Sequence, residues 1–132
     1  MIRLIACCVV LGSLAATGCS SATTQVAPVA TFSIEVSTEI FRIQVSTAAQ
    51  AAALRARLQS GTRGVISGDL VLGPGGFNAP WGWHLLPSSV SAPDVATEVC
   101  DGTPSLVQAD LTYWMGSVGR FCPWTARVVR EE

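Results

Sequence analysis

Two short segments after residue 30 alternate between apolar and polar residues. Every second residue is apolar over 31–37, and the same pattern returns over 39–45. This period of two is typical of strands that are buried on one face only. Because the connection around Thr38 is tight, the two strands are predicted to pair as a β-hairpin.

The next segment has the period of an amphipathic helix. Thr47 is followed three residues later by Gln50, which is the spacing of a capping box. Gly61 is the expected end of the helix. The apolar stripe at helical spacing is Ala51, Leu54 and Leu58.

Four further strands and a second helix complete the predicted domain. The strands are expected at 65–72, 81–86, 95–100 and 124–130. The helix begins at Thr103-Pro104, a favourable cap and first position, and ends at Gly116 and Gly119. The order β-β-α-β-β-β-α-β predicts an α+β fold, in which a small mixed or antiparallel sheet carries two helices on one face.

The first 19 residues resemble the leader of a bacterial lipoprotein. Arg3 precedes an apolar run, 4–14, that is too short to span a membrane, and small residues then lead to Cys19. This pattern predicts that residues 1–18 are a signal peptide and that Cys19 is acylated, which would attach the chain to a membrane. An ordinary secretory leader cleaved near Ala22 is the alternative.

After the leader, two parts of the chain differ in composition. Residues 19–30 are small and polar and include proline, so they are predicted to be a lipidated N-terminus and flexible tether. Residues 31–132 are predicted to form one globular α+β domain. Beyond the leader the chain has seven basic and nine acidic residues without a basic cluster, which argues against a nucleic-acid partner.

Of the five cysteines, only two lie beyond the leader and the predicted lipid attachment site. Cys7 and Cys8 lie inside the leader, and Cys19 is the predicted lipid attachment site. In an exported protein the remaining pair, Cys100 and Cys122, is expected to form a disulfide. A metal site and a thiol nucleophile are the alternatives; the first lacks ligands, because the chain has one histidine, and the second leaves one cysteine unexplained. No metal or cofactor is predicted.

His84 is the centre of the candidate catalytic site. Together with Asp101 or Glu98 and a nearby serine such as Ser88 or Ser89, it could form a hydrolase triad. No G-x-S-x-G motif accompanies it. Glu98 and Asp101 are three apart on a predicted strand, so their side chains would point to opposite faces. A structural histidine bonded to the backbone is the favoured interpretation of His84, and a contact with the second helix is the favoured role of Asp101.

Residues 73–80 contain three glycines and two prolines. They do not match a phosphate-binding loop, because no Lys-Ser or Lys-Thr follows. A stiff loop with Phe77 and Asn78 at its tip would suit protein recognition, since little entropy is lost on binding. The alternative is a connection whose Phe77 packs into the core. The candidate binding residues are Phe77, Asn78, Pro80, Trp81 and Trp83.

Three runs are notable in combination: WGWHL at 81–85, EVCDGTP at 98–104 and CPW at 122–124. Over about residues 31–130 they resemble a family of small exported domains of bacteria and slime moulds. The resemblance implies a disulfide between the two cysteines and no settled activity. The chain departs from the family pattern at Leu86-Pro87, where Asp-Pro is more usual, so the resemblance does not support an acidic role beside His84.

These observations predict an exported, membrane-anchored lipoprotein whose domain is a non-catalytic binding module, protein-binding or inhibitor-like, at the cell envelope. The expected partners are the membrane, through the lipid on Cys19, and an envelope or extracellular protein. A small extracytoplasmic hydrolase centred on His84 is the alternative function.

Overall fold

In the computed structural model, which describes residues 27–132, the two alternating segments form the predicted hairpin. Strand β1 (Ala30–Val36) pairs antiparallel with β2 (Glu39–Val45). The register sets Ile34 opposite Phe41, and both side chains are buried. The signal peptide predicted for 1–18 and the lipid site at Cys19 lie outside the described residues.

Helix α1 (Ala48–Ser60) follows the sequence prediction closely. Thr47 and Gln50 form the reciprocal hydrogen bonds of a capping box, and Gly61 ends the helix with φ of 65°. Ala51 and Leu54 are buried, so the predicted stripe packs against the core.

The remaining elements are short. After α1 come strands β3 (Gly68–Leu72) and β4 (Trp83–Leu85), 3₁₀ turns at Pro87–Ser89 and Glu98–Cys100, helices α2 (Pro104–Ala109) and α3 (Leu111–Tyr113), a π turn at Trp114–Val118, and strands β5 (Arg120–Phe121) and β6 (Arg127–Glu131).

The described strands form two three-stranded antiparallel sheets, in the orders β2-β1-β6 and β4-β3-β5. The α+β class is therefore confirmed. The single sheet with two helices on one face is replaced by two smaller sheets, because β3 pairs with β4 and with the unpredicted β5, and not with the first hairpin.

Three aromatic rings join the two sheets. Phe41 comes from the first sheet, whereas Trp83 and Phe121 come from the second. Their ring centroids are 5.3 to 5.6 Å apart, which is the usual range for interacting aromatic side chains. All three are buried, so this cluster is the centre of the core.

The strand predicted for 95–100 is wrong. This segment is a loop that ends in the 3₁₀ turn at Glu98–Cys100. Its two valines, Val95 and Val99, face solvent and contribute nothing to the core. They are therefore part of an exposed apolar surface and not the buried face of a strand.

The second predicted helix is interrupted at Asp110. This residue leaves the helical region, with φ of −142° and ψ of 68°, and its carboxylate accepts a hydrogen bond from the Tyr113 backbone N–H. An aspartate in this position caps a new helical segment, which explains why α2 is only six residues long.

Candidate functional site

The disulfide predicted between Cys100 and Cys122 is present, with the two α-carbons 5.1 Å apart. Both cysteines are buried. The Cys122 backbone N–H also donates to the Cys100 carbonyl at 2.7 Å. The disulfide and this hydrogen bond hold the 94–101 loop against the segment that ends in Trp124.

Asp101 strengthens the same junction. Its Oδ1 atom accepts hydrogen bonds from the backbone N–H groups of Trp124 and Gly102, each at 2.9 Å. At the start of α2 it is Glu39 that accepts from the Ser105 N–H, at 2.8 Å. Asp101 therefore positions Trp124, and the helix contact expected of it is made by a residue of β2.

The two joined segments expose three apolar side chains. Val95 is 81% exposed, Val99 62% and Trp124 37%. Val95 and Trp124 also line a groove of about 250 Å³. It is lined by Gly64, Val65, Asp94, Val95, Ala96 and Trp124. We call these three side chains, together with the groove, the disulfide-side surface.

A second groove, of about 320 Å³, is also lined by residues of this loop. Val95 and Ala96 line both grooves, so they form a ridge between them. Arg120, at the edge of the second groove, is paired with Asp69 at 2.7 Å.

The 73–82 loop, by contrast, is bound closely to the body of the domain. The Gly73 N–H donates to the Gly82 carbonyl at 2.8 Å, which closes the loop at its base. Within the loop, the Asn78 backbone N–H donates to the Pro74 carbonyl at 2.9 Å, and the Trp81 backbone N–H donates to the Asn78 backbone carbonyl at 3.0 Å. Backbone hydrogen bonds therefore close the loop on itself, and its Asn78 side chain is turned into the domain.

Asn78 is fully buried and does not lie at an exposed tip, so that prediction is wrong. Its side-chain oxygen accepts from the Arg42 backbone N–H at 2.7 Å, and its nitrogen donates to the Trp83 carbonyl at 2.8 Å. The indole N–H of Trp81 donates to the Ile40 carbonyl at 2.8 Å. Both side chains thus connect the edge of β2 to the loop and β4.

The other candidate binding residues divide by exposure. Trp83 belongs to the buried core, and Phe77 is half-buried with its ring edge-on to His84 at 5.4 Å. Pro80 is exposed and Trp81 is half-buried. Trp83 and Asn78 are therefore not available to a partner, and Phe77 packs beside His84.

His84 has a structural environment. Its Nδ1 lies 2.7 Å from the Gly73 carbonyl oxygen, so this nitrogen is the donor. Gly75 approaches the ring so closely that a β-carbon there would lie 2.8 Å from it. In the described part of the chain no hydrogen bond joins His84 to Asp101 or Glu98, and the triad geometry is not formed.

Two further observations concern the described residues alone. Within 27–132 no group of three or more His, Cys, Asp or Glu side chains is arranged to hold a metal ion. None of the helices in this range has both the length and the apolar composition needed to cross a bilayer.

The sequence does not point to the disulfide-side surface, because it predicts one strand over 95–100, with both valines, and another over 124–130, with Trp124. One signal is present in the sequence: each valine directly follows an acidic residue, Asp94 or Glu98, and the segment ends at Cys100. Charged neighbours on a short segment that is bound to a disulfide favour an exposed loop over a core strand.

The comparisons with known proteins place the chain in a family. A family model described as the BP-74 N-terminal domain matches residues 27–132, which is the whole of the described part. Neither the curated proteins nor the solved structures give a match. The chain belongs to the family of the BP-74 N-terminal domain.

Proposed function

We propose that the protein is an exported, lipid-anchored lipoprotein whose domain recognises another protein without catalysing a reaction. The recognition surface in this proposal is the disulfide-side surface. The observation that supports it best is the exposure of Val95, Val99 and Trp124 on two segments that a disulfide holds together.

Exposed valines and a tryptophan on a fixed frame favour binding for an energetic reason. Burial of apolar surface provides roughly 25 cal/mol per Å². The disulfide and the bond from Trp124 to Asp101 order the frame before a partner arrives, so little further entropy is lost on binding. Tryptophan is also enriched among the residues that dominate binding energy at interfaces.

The state of His84 supports a non-catalytic role. A general base needs a free nitrogen near a nucleophile and a partner that orients the ring. Here Nδ1 donates to a backbone carbonyl and Nε2 is the basic nitrogen, but no hydrogen bond joins it to a serine hydroxyl among the described residues. The Ser89 hydroxyl instead donates to the Leu86 carbonyl at 2.7 Å and accepts from the Asp69 N–H at 2.8 Å.

Binding to washed envelope vesicles from the native host, lacking its own copy of the protein, tests the recognition surface. The exported full chain with Cys19→Ser is used, so that an acyl group does not contribute. Val95→Ser with Val99→Ser should weaken the apparent affinity by about tenfold. The matched control, Leu72→Ser with Ile40→Ser, removes exposed apolar side chains around the 73–82 loop and should bind like the parent chain.

Saturable binding that is lost only in the valine variant supports the proposal. Absence of saturable binding, or loss in the control variant alone, contradicts it. Unchanged circular dichroism and thermal midpoints in both variants ensure that recognition, and not folding, is compared.

The anchor has its own test. With the wild-type leader, Cys19→Ser should move the chain from the membrane fraction to the soluble extracytoplasmic fraction. The matched control is Cys7→Ser with Cys8→Ser, which changes sulfurs that the proposal removes with the leader. If Cys19→Ser leaves membrane association intact, the lipid anchor is wrong, while the recognition surface is unaffected.

A further inference from the structure

The charges of the described domain are distributed unevenly. Four carboxylates form ion pairs with arginines: Glu35, Asp69, Glu131 and Glu132. The other five carboxylates make no ion pair within 27–132: Glu39, Asp94, Glu98, Asp101 and Asp110.

Three of these five lie in one eight-residue loop, 94–101, which also presents the exposed valines. The carboxylates of Asp94 and Glu98 are exposed and accept no hydrogen bond from the described residues. Asp101 uses one oxygen to accept from the Trp124 N–H and keeps its charge at the surface.

Few cations balance this charge. Six of the seven described arginines are in ion pairs. The seventh, Arg57, lies over Gly64 at the edge of the first groove and donates to the Ala92 carbonyl at 3.4 Å. The loop is therefore a net negative surface with one unpaired arginine at its margin, since Arg120 beside the second groove is paired with Asp69.

We infer that the partner of the disulfide-side surface is a protein segment in which lysine or arginine residues flank an apolar side chain. This inference rests on the proposed function and specifies its partner. The apolar side chain would contact Val95 and the groove, while the basic residues would lie beside Asp94 and Glu98. Complementary charges at the rim of an interface increase association rates and exclude partners of like charge.

Asp94 and Glu98 can be neutralised without loss of a hydrogen bond. Asp94→Asn with Glu98→Gln removes two negative charges from the disulfide-side surface and keeps the size of both side chains. The matched control is Glu39→Gln with Asp110→Asn, which makes the same change in net charge elsewhere. Asparagine still caps a helix, and glutamine still has an acceptor oxygen for Ser105.

The probe is again the washed envelope vesicles, with the Cys19→Ser full chain, at low and at physiological salt. The rim variant, Asp94→Asn with Glu98→Gln, should bind about fivefold more weakly at low salt, and its affinity should depend less on salt than that of the parent chain. The control should bind within about twofold of the parent chain. If the rim variant binds as tightly as the parent chain, or more tightly, the basic partner is wrong.

The valine variant separates this result from failure of the proposed function. If the valine variant loses binding and the rim variant does not, the recognition surface is supported and the inference of a basic partner is wrong. If the parent chain itself shows no saturable binding, the recognition function falls, and the inference falls with it.

Discussion

The side-chain oxygen of Asn78 accepts a hydrogen bond from the Arg42 backbone N–H at 2.7 Å, and this contact joins two sheets that share no strand pairing. Strands β2 and β4 are edge strands of different sheets. The side-chain nitrogen of Asn78 also donates to the Trp83 carbonyl in β4. One buried side chain therefore links the two edge strands, which form no backbone hydrogen bonds with each other.

Replacement of Asn78 should therefore cost more stability than its loop position suggests. Asn78→Ala leaves the Arg42 N–H and the Trp83 carbonyl without partners, and the expected loss is about 2 to 4 kcal/mol in the free energy of unfolding. Denaturant unfolding measures it. The control is Gln59→Ala, which removes an exposed amide on α1 and should change stability by less than about 0.5 kcal/mol. Equal effects in the two variants would show that Asn78 does not join the sheets.

Two adjacent glycines in the 73–82 loop should differ in their tolerance of alanine. Both have positive φ, 63° at Gly75 and 82° at Gly76, so each substitution should cost about 1 kcal/mol in backbone strain. Only at Gly75 would the new β-carbon also meet the rings of His84 and Phe77, each at 2.8 Å. Gly75→Ala should therefore be less stable than Gly76→Ala by at least about 1 kcal/mol in chemical unfolding.

A second substitution checks the cause of that difference. Adding His84→Ala to Gly75→Ala removes one of the two rings that the new β-carbon meets. The double variant should therefore lose less free energy of unfolding than the sum of the losses in the two single variants. Strict additivity would mean that contact with the histidine is not responsible.

The disulfide should contribute substantially to stability. Cys100 and Cys122 are 22 residues apart, and a cross-link of this span is worth about 3 kcal/mol. Thermal unfolding with and without a reductant measures it. Cys100→Ala with Cys122→Ala should match the reduced wild type and show no further response to the reductant. A wild-type midpoint that the reductant does not lower would contradict a stabilising role.

Acid should destabilise the domain through three glutamates. Arg130, with Ser33, lowers the pKa of Glu132 to about 2. Arg127 and Arg63 lower the pKa of Glu35, and Arg55 lowers that of Glu131. A carboxyl whose pKa is lower in the folded state binds protons more readily when unfolded, so its stabilising effect is present above its unfolded pKa, about 4.3, and is lost as the pH falls toward the folded value.

The thermal midpoint should therefore decrease as the pH is lowered from about 4.5 to about 2. A variant with Glu35→Gln, Glu131→Gln and Glu132→Gln should show a smaller decrease over that range, although it starts less stable. If its midpoint follows the wild-type curve in parallel, these ion pairs are not the source of the acid sensitivity.

The features of the fold that local sequence determines could be predicted, whereas those that depend on distant contacts or on very short segments could not. The hairpin, the capping box at Thr47 and the pairing of Cys100 with Cys122 depend on local periodicity or on simple counting, and all three are present. The helix break at Asp110 and the two-residue strand β5 are too short to produce a periodic pattern.

The candidate site was predicted less well for a physical reason. Polar residues in a glycine-rich loop resemble a presented binding tip, yet Asn78 is buried because two backbone groups of distant strands need its amide. Conversely, Val95 and Val99 resemble core residues, yet they face solvent. In both cases the outcome depends on tertiary contacts that a single sequence does not reveal.

The most direct test of the central claim is site-specific cross-linking in the native host. A photoactivatable side chain is placed in the full-length chain at position 95, or at the control position 72, whose leucine is also well exposed. Recognition through the disulfide-side surface predicts a discrete protein adduct from position 95 and none from position 72. Adducts from position 72 alone, or none from either position, would contradict it.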